Sequence, residues 1–202
     1  MTSPDRRLVV GITGASGAAY AIRFLQAATG SFDEIYVALS EQAAQVIGLE
    51  TGRSIDFHKP TAAALIGFDC PAIQFLHSKN YFSPPASGSF RHAGMVIVPC
   101  SMGTAGRIAA GISNDLITRA ADVCLKERRK LILVPRETPW SLIHLRTMTA
   151  LAEAGATILP ACPGFYHRPQ TVQEVVDHVV ARILHQLGID QSLVPEWQHE
   201  SE

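Results

Sequence analysis

"LVVGITGASG", Leu8 to Gly17, is an apolar run that breaks at Gly14 and Gly17, with Thr13 and Ser16 set between and beside them. A short β-rich run ending in such punctuation reads as a buried strand that turns into a helix. Gly11, Gly14 and Gly17 would let the backbone approach a ligand closely. The helix start that follows would offer free N–H groups and a positive dipole end to an anion. A ligand-free strand–helix turn has the same spacing, so the motif by itself leaves both readings open.

Outward from this stretch the pattern alternates. Strands are predicted at "RLVVGIT", "EIYVALS", "AIQFLH" (the weakest), "GMVIVPC", "KLILVP" and "GATILP". Helices are predicted from Ser16 to Ala28, over "EQAAQVIGLET", from "SMGTAGRIAAG", from Asp115 to Arg129, from Ser141 to Ala154, and in a long run ending near Leu187. Strands alternating with helices imply a parallel sheet covered on both faces, a three-layer αβα doubly wound fold of the flavodoxin-like or Rossmann-like kind. Residues 1–188 read as one FMN-binding domain; 189–202, "IDQSLVPEWQHESE", read as a tail leaving the globule to serve an oligomer or the active site.

Ligands of such sheets bind at the carboxyl ends of the strands. That rule selects the loops at Gly14–Gly17, Ser40, Pro99–Thr104, Pro135–Trp140 and Pro160–Thr171, where the unusual polar residues collect. A dinucleotide would require an acidic residue at the end of the second strand for the ribose hydroxyls. Ser40 stands there, and Glu34 lies at the wrong end of that strand. Ser16 and Ser40 instead suit a terminal phosphate monoester, which points to a mononucleotide such as FMN. Ser101, Gly103 and Thr104 of "PCSMGT" would present hydroxyls and amides to a flavin or its ribityl chain; Ser101 as an ordinary helix cap fits equally well.

Composition sets the outer limits. The 202 residues are 47% hydrophobic and 17% charged, enough for a sizeable core and too apolar for disorder. A net charge of −1 gives no reason to expect nucleic acid or an anionic membrane as partner. No apolar run approaches the ~20 residues of a membrane span, and "MTSPDRR" lacks a signal-peptide core. Cys70, Cys100, Cys124 and Cys162 are too scattered for a metal or redox pair, and the histidines show no ligand spacing. A soluble, cytoplasmic chain with no metal site is expected.

"GITGASGAAYAIRFL", "ALSEQAAQVIGLET", "PPASGS", "PCSMGTAGRIAAGISNDLITRAADVCLKERRKLILVPRETPWSLIHLRTM" and "GATILPACPGFYHRPQTVQEVVDHVVARIL" resemble the flavin prenyltransferases of the UbiX type, from about residue 7 to Trp197. The resemblance implies a flavodoxin-like fold, closed dodecamers, and transfer of a dimethylallyl group from dimethylallyl monophosphate to reduced FMN. The prenylated FMN would then serve a UbiD-type decarboxylase. It places FMN against Gly14, Ala15, Ser16, Ser40, Ser101, Met102, Gly103, Thr104 and Arg136. The prenyl phosphate would meet Arg119, Lys126, Tyr166 and Arg182, with Glu137 as the acid beside it. Tyr81, where the family often has Trp, and Trp197 would wall the prenyl pocket; Ser16 and Glu50 are further candidates for proton handling. Arg182 is Lys in some relatives, which keeps charge without a bidentate grip.

Read from the residues alone, these positions carry alternatives. Arg119 and Lys126 lie seven apart on one helix face, which a solvated surface also explains. Arg136-Glu137 at a strand end suit phosphate stabilisation and acid–base work, or a structural ion pair. Tyr166 would donate to the phosphate or merely pack. No DDxxD-like Mg²⁺ motif is present, in keeping with a metal-free monophosphate route. The rival readings are a cysteine-type flavin decarboxylase, a non-catalytic FMN-binding protein and an NAD-dependent reductase. "PPASGS" departs from the Pro-Ala-Ser-Ala-Asn-Thr loop of the first, whose PxMNxxMW segment is also missing; Ser40 counts against the last.

Overall fold

The computed structural model describes residues 3–195. Six strands form one parallel sheet: β1 (Arg7–Ile12), β2 (Glu34–Leu39), β3 (Ile73–Leu76), β4 (Gly94–Cys100), β5 (Leu131–Pro135) and β6 (Thr157–Ile158). Their order is β3-β2-β1-β4-β5-β6. Setting aside the short edge strand β3, the remaining five follow the flavodoxin order, with the topological switch between β1 and β4. The three-layer reading of the sequence holds.

Alternation along each strand divides the core. Leu8, Val10 and Ile12 join Ile35, Val37, Val96 and Val134 on one face. There they meet α1 (Ala18–Ala28), α2 (Glu41–Thr51), α3 (Ala62–Ile66) and α7 (Val172–Leu187). Val9, Met95, Ile97, Leu131 and Leu133 face the other way, onto α4 (Met102–Ala109), α5 (Leu116–Lys126) and α6 (Leu142–Glu153). Both faces being covered explains why the strands read as near-continuous apolar runs.

Three details depart from the sequence reading. The short helix α3 was not expected; Thr61 caps it by accepting the Ala64 N–H. "GATILP" contributes only Thr157 and Ile158 to the ladder, since β6 is an edge paired with β5 alone. The tail does not leave the globule where it is described: Ile189 and Leu193 pack against the α1/α7 core, and the Leu193 and Val194 N–H groups donate to Gln191. Apolar side chains at Ile189 and Leu193 make burial the better solution.

Candidate functional site

At the switch point one buried side chain ties the two diverging strands. Thr13, 3% exposed at the end of β1, donates its hydroxyl to the Pro99 carbonyl at 2.8 Å and accepts the Ser101 N–H at 2.8 Å. This fixes the loops after β1 and β4 side by side. A cleft of about 800 Å³ opens beside them, lined by Gly14, Ser40, Gln42, Ser101, Gly103 and Thr104. A side chain at Gly14 would put its Cβ 2.6 Å from that of Gln42, so only glycine lets the first loop sit against α2. Gly11, by contrast, lies within β1 beneath Ile117, and its lack of a side chain serves packing rather than a ligand.

Three helices start at this cleft, each capped by a hydroxyl or carboxylate. Ser40 accepts the Ala43 N–H at 3.1 Å, Ser101 accepts the Thr104 N–H at 3.3 Å, and Asp115 accepts the Thr118 N–H at 2.8 Å. Ser101 caps α4 and also lines the cleft. Helix starts pointing into a cleft favour an anion. Met102 is different, because its side chain is buried in the α4/α6 core and only its backbone can face a ligand.

Sequence reasoning missed the far wall of the cleft. Arg107 reaches Asp115 at 2.7 Å, Asn114 at 2.6 Å and Thr104 at 3.1 Å. Burial would raise the Asp115 carboxyl, but the Thr118 N–H and hydroxyl and the Arg107 guanidinium together hold it below the usual range. His58 and His77 stack along the same wall, with Phe57 edge-on to His58 and Lys79 beside them. The β3 edge that leads into His77 and Lys79 was the weakest strand signal in the sequence, and Phe57 and His58 come from the segment between α2 and α3.

A second cluster sits where α1 begins. Gly17 adopts φ +117° and offers no capping side chain. Glu50, from the last turn of α2, supplies the cap by accepting the Gly17 N–H at 3.0 Å and the Ala18 N–H at 2.8 Å. Burial works to raise the Glu50 carboxyl. The Ser16 hydroxyl, those two N–H groups and the nearby Arg136 outweigh it and lower the value. The anion-binding groups predicted at this helix start are thus already engaged by a carboxylate. Arg136 donates from Nε to the Ser16 carbonyl at 3.0 Å, which brings the loops after β1 and β5 together. Tyr20, underneath Gly17, has its phenol pushed up by burial and by Cys162, with Arg136 opposing.

Glu137 makes no ion pair with Arg136 among the described residues; its carboxylate accepts the Thr138 N–H at 3.0 Å and its carbonyl the Trp140 indole N–H at 2.8 Å. The ion-pair reading of this dipeptide is not what the fold builds.

The candidate prenyl-phosphate residues are not gathered by one chain. Arg119 donates to the Ala86 carbonyl at 3.1 Å and pairs with Asp122 at 2.7 Å; Lys126 pairs with Glu127, beside Gly88. Tyr81 holds the Ser113 carbonyl at 3.3 Å. Tyr166 and Arg182 line a separate cleft of about 620 Å³ at the α7 end of the sheet. Trp197 lies outside the described residues. Described residues contain no cluster of His, Cys, Asp and Glu able to hold a metal, and no helix long and apolar enough to cross a membrane.

A doubly wound sheet with hydroxyls, capped helix starts and glycine at its switch point defines a mononucleotide-binding α/β protein, and the flavoprotein family model matches residues 1–184. The relationship narrows further. A flavin prenyltransferase UbiX of Pseudomonas aeruginosa is 46% identical over 201 residues, spanning 98% of this chain and 96% of that one. The crystal structure of AnUbiX (PadA1) in complex with FMN and dimethylallyl pyrophosphate superposes with a TM-score of 0.86 at 38% identity, covering 98% of this chain and all of that one. A dodecameric FMN-dependent Ubix-like decarboxylase of Escherichia coli superposes at 0.84 with 42% identity, over 96% of this chain and 100% of its own. The chain belongs to the UbiX flavin prenyltransferase family.

Proposed function

We propose that this chain joins the dimethylallyl group of dimethylallyl monophosphate to reduced FMN. Flavin N5 bonds to prenyl C1 as the C1–O bond to phosphate breaks and N5 gives up its proton; flavin C6 then bonds to prenyl C3 as the C2=C3 double bond opens, C2 gaining a proton and C6 losing one, which closes a fourth ring. The observation that carries the reading is the meeting of Ser16, Glu50 and Arg136 beside the hydroxyl-lined cleft at the β1/β4 switch. Gly14, Ala15, Ser16, Ser40, Ser101 to Thr104 and Arg136 are the residues assigned to FMN. Glu137, from the loop that carries Arg136, is the acid that protonates the leaving phosphate. Ser16 and Glu50 handle the flavin-side proton. Tyr81 and Trp197 wall the allylic group away from water.

Arg119 and Lys126 reach the same phosphate as Tyr166 and Arg182 only if a second copy supplies them, because one chain keeps them on opposite flanks. Phe82, Leu49, Ile143 and Phe165 are all more than 60% exposed, apolar side chains suited to burial between copies. A closed oligomer, a dodecamer as in the E. coli relative, meets both requirements. The product passes to a UbiD-type decarboxylase in the cytoplasm. Mixing Arg119→Ala and Glu137→Gln chains, each impaired alone, tests the shared site: mixed oligomers recover adduct formation if the two residues act across an interface, and show no recovery if they act within one chain.

A further inference from the structure

Loop 161–171 carries Tyr166 and follows the two-residue strand β6, which gives it almost no ladder to hold it. Its ends are held by the Ala161 N–H donating to the Pro135 carbonyl at 2.9 Å and the Gln170 N–H donating to Glu174 at 2.7 Å; between them a side chain of α7 holds the Gly164 backbone. The His178 Nδ1 accepts the Gly164 N–H at 3.1 Å. A Cβ at Gly164 would stand 3.1 Å from His178 Nε2 and 3.6 Å from the Tyr166 ring, so glycine is what lets the imidazole lie against the loop backbone. His178 also borders the cleft that Tyr166 shares with Arg182.

We propose that His178 is the positioning residue for Tyr166 in use of the prenyl phosphate, acting as a neutral imidazole whose Nδ1 accepts from Gly164. This rests on the assignment of Tyr166 to that phosphate. Protonation removes the acceptor, since a cationic imidazole has only donors. The cationic groups near it bias it toward the neutral form, and Glu174 carries the opposing charge. On its own helix stand Glu174, Arg182 and His185, and from the loop come Cys162, Tyr166 and His167, whose ring centre is 6.4 Å away. The segments Thr157–Leu159 and Leu193–Pro195, which also border it, bring no charge. Partial burial, then His167 and Arg182, lower its pKa, so the anchor is intact at neutral pH and fails on acidification.

The test compares wild type, His178→Asn and His178→Leu, all with reduced FMN and dimethylallyl monophosphate, measuring KM and kcat from pH 5 to 8. Asn keeps an acceptor at the Nδ1 position and does not titrate; Leu has none. At pH 7.5, His178→Leu should raise KM for the prenyl donor about tenfold, the scale of one unsatisfied amide, with FMN affinity unchanged. His178→Asn should keep the neutral KM and lose part of the acid-side rise seen in wild type. The donor phosphate's own titration is common to all three and cancels in the comparison. If His178→Leu has the wild-type KM, or all three pH profiles coincide, the inference is wrong. Absence of adduct from wild type itself would overturn the function and not this anchor, which FMN-independent amide exchange at Gly164 in the same variants still reads.

Discussion

The Glu50 carboxylate accepts the Ala18 N–H at 2.8 Å, so an acid from the end of α2 closes the first turn of α1. Two elements that the sheet order sets side by side are thus locked at the mouth of the site. Glu50→Gln keeps an acceptor and loses charge; Glu50→Ala loses both. The Ala variant should unfold about 1 kcal/mol more easily in urea, the scale of an N-terminal cap, and Gln should fall between it and wild type. The lowered carboxyl makes this contribution one that is present above the ordinary carboxylate range and declines as pH falls through the folded value. Equal stabilities at pH 7 would mean the cap contributes nothing.

Thr13 joins β1 to β4 through two bonds of 2.8 Å. Thr13→Val conserves shape while leaving the part-buried Ser101 N–H without its acceptor. A loss of about 1–3 kcal/mol is expected, accompanied by weaker FMN binding, because Ser101 heads the cleft wall. Calorimetric unfolding and flavin titration check the two effects together.

Ser40 permits a charge test that spares the fold. Asp also caps helices, so Ser40→Asp retains the bond to Ala43 and adds a negative charge to the cleft. FMN affinity should fall by at least tenfold with Tm nearly unchanged, while wild type should prefer FMN to FAD and NAD. Equal FMN and FAD affinities in wild type would argue against a terminal-phosphate site.

His92 predicts the acid limit of stability. Burial, the largest cause, lowers it to about 4, with Arg129 adding to the effect and the bond to the Gly94 carbonyl opposing it. The unfolded chain takes up its proton near pH 6.5 and the folded chain only near 4, so stability declines as pH falls across that window. His92→Asn, which keeps a donor toward Gly94, should flatten this slope in urea titrations at pH 4.5 and 7.

The fold was legible because five of its strands are apolar runs punctuated by Gly, Pro or Ser, and the switch-point rule then located Ser40, Ser101 and Arg136 correctly at strand ends. The anchoring side chains were not legible. Thr13 and His178 act through bonds to backbone 86 and 14 residues away, at Pro99 and Gly164, and no motif spacing encodes either. The role of Gly11 was misread because a glycine under Ile117 and a glycine under a phosphate leave the same letter. Arg119 and Lys126 do share a helix face, but which subunit's site that face serves is a property of assembly.

Whether this chain prenylates FMN is decided by the mass of the flavin after anaerobic incubation with reduced FMN and dimethylallyl monophosphate, chelator present. The predicted result is FMN heavier by one C5 unit, formed without added metal. With Glu137→Gln it should form ~10²–10⁴-fold more slowly at unchanged FMN affinity. Recovery of unmodified FMN from a protein that demonstrably binds both molecules, with the monophosphate and the pyrophosphate donor alike, would contradict it.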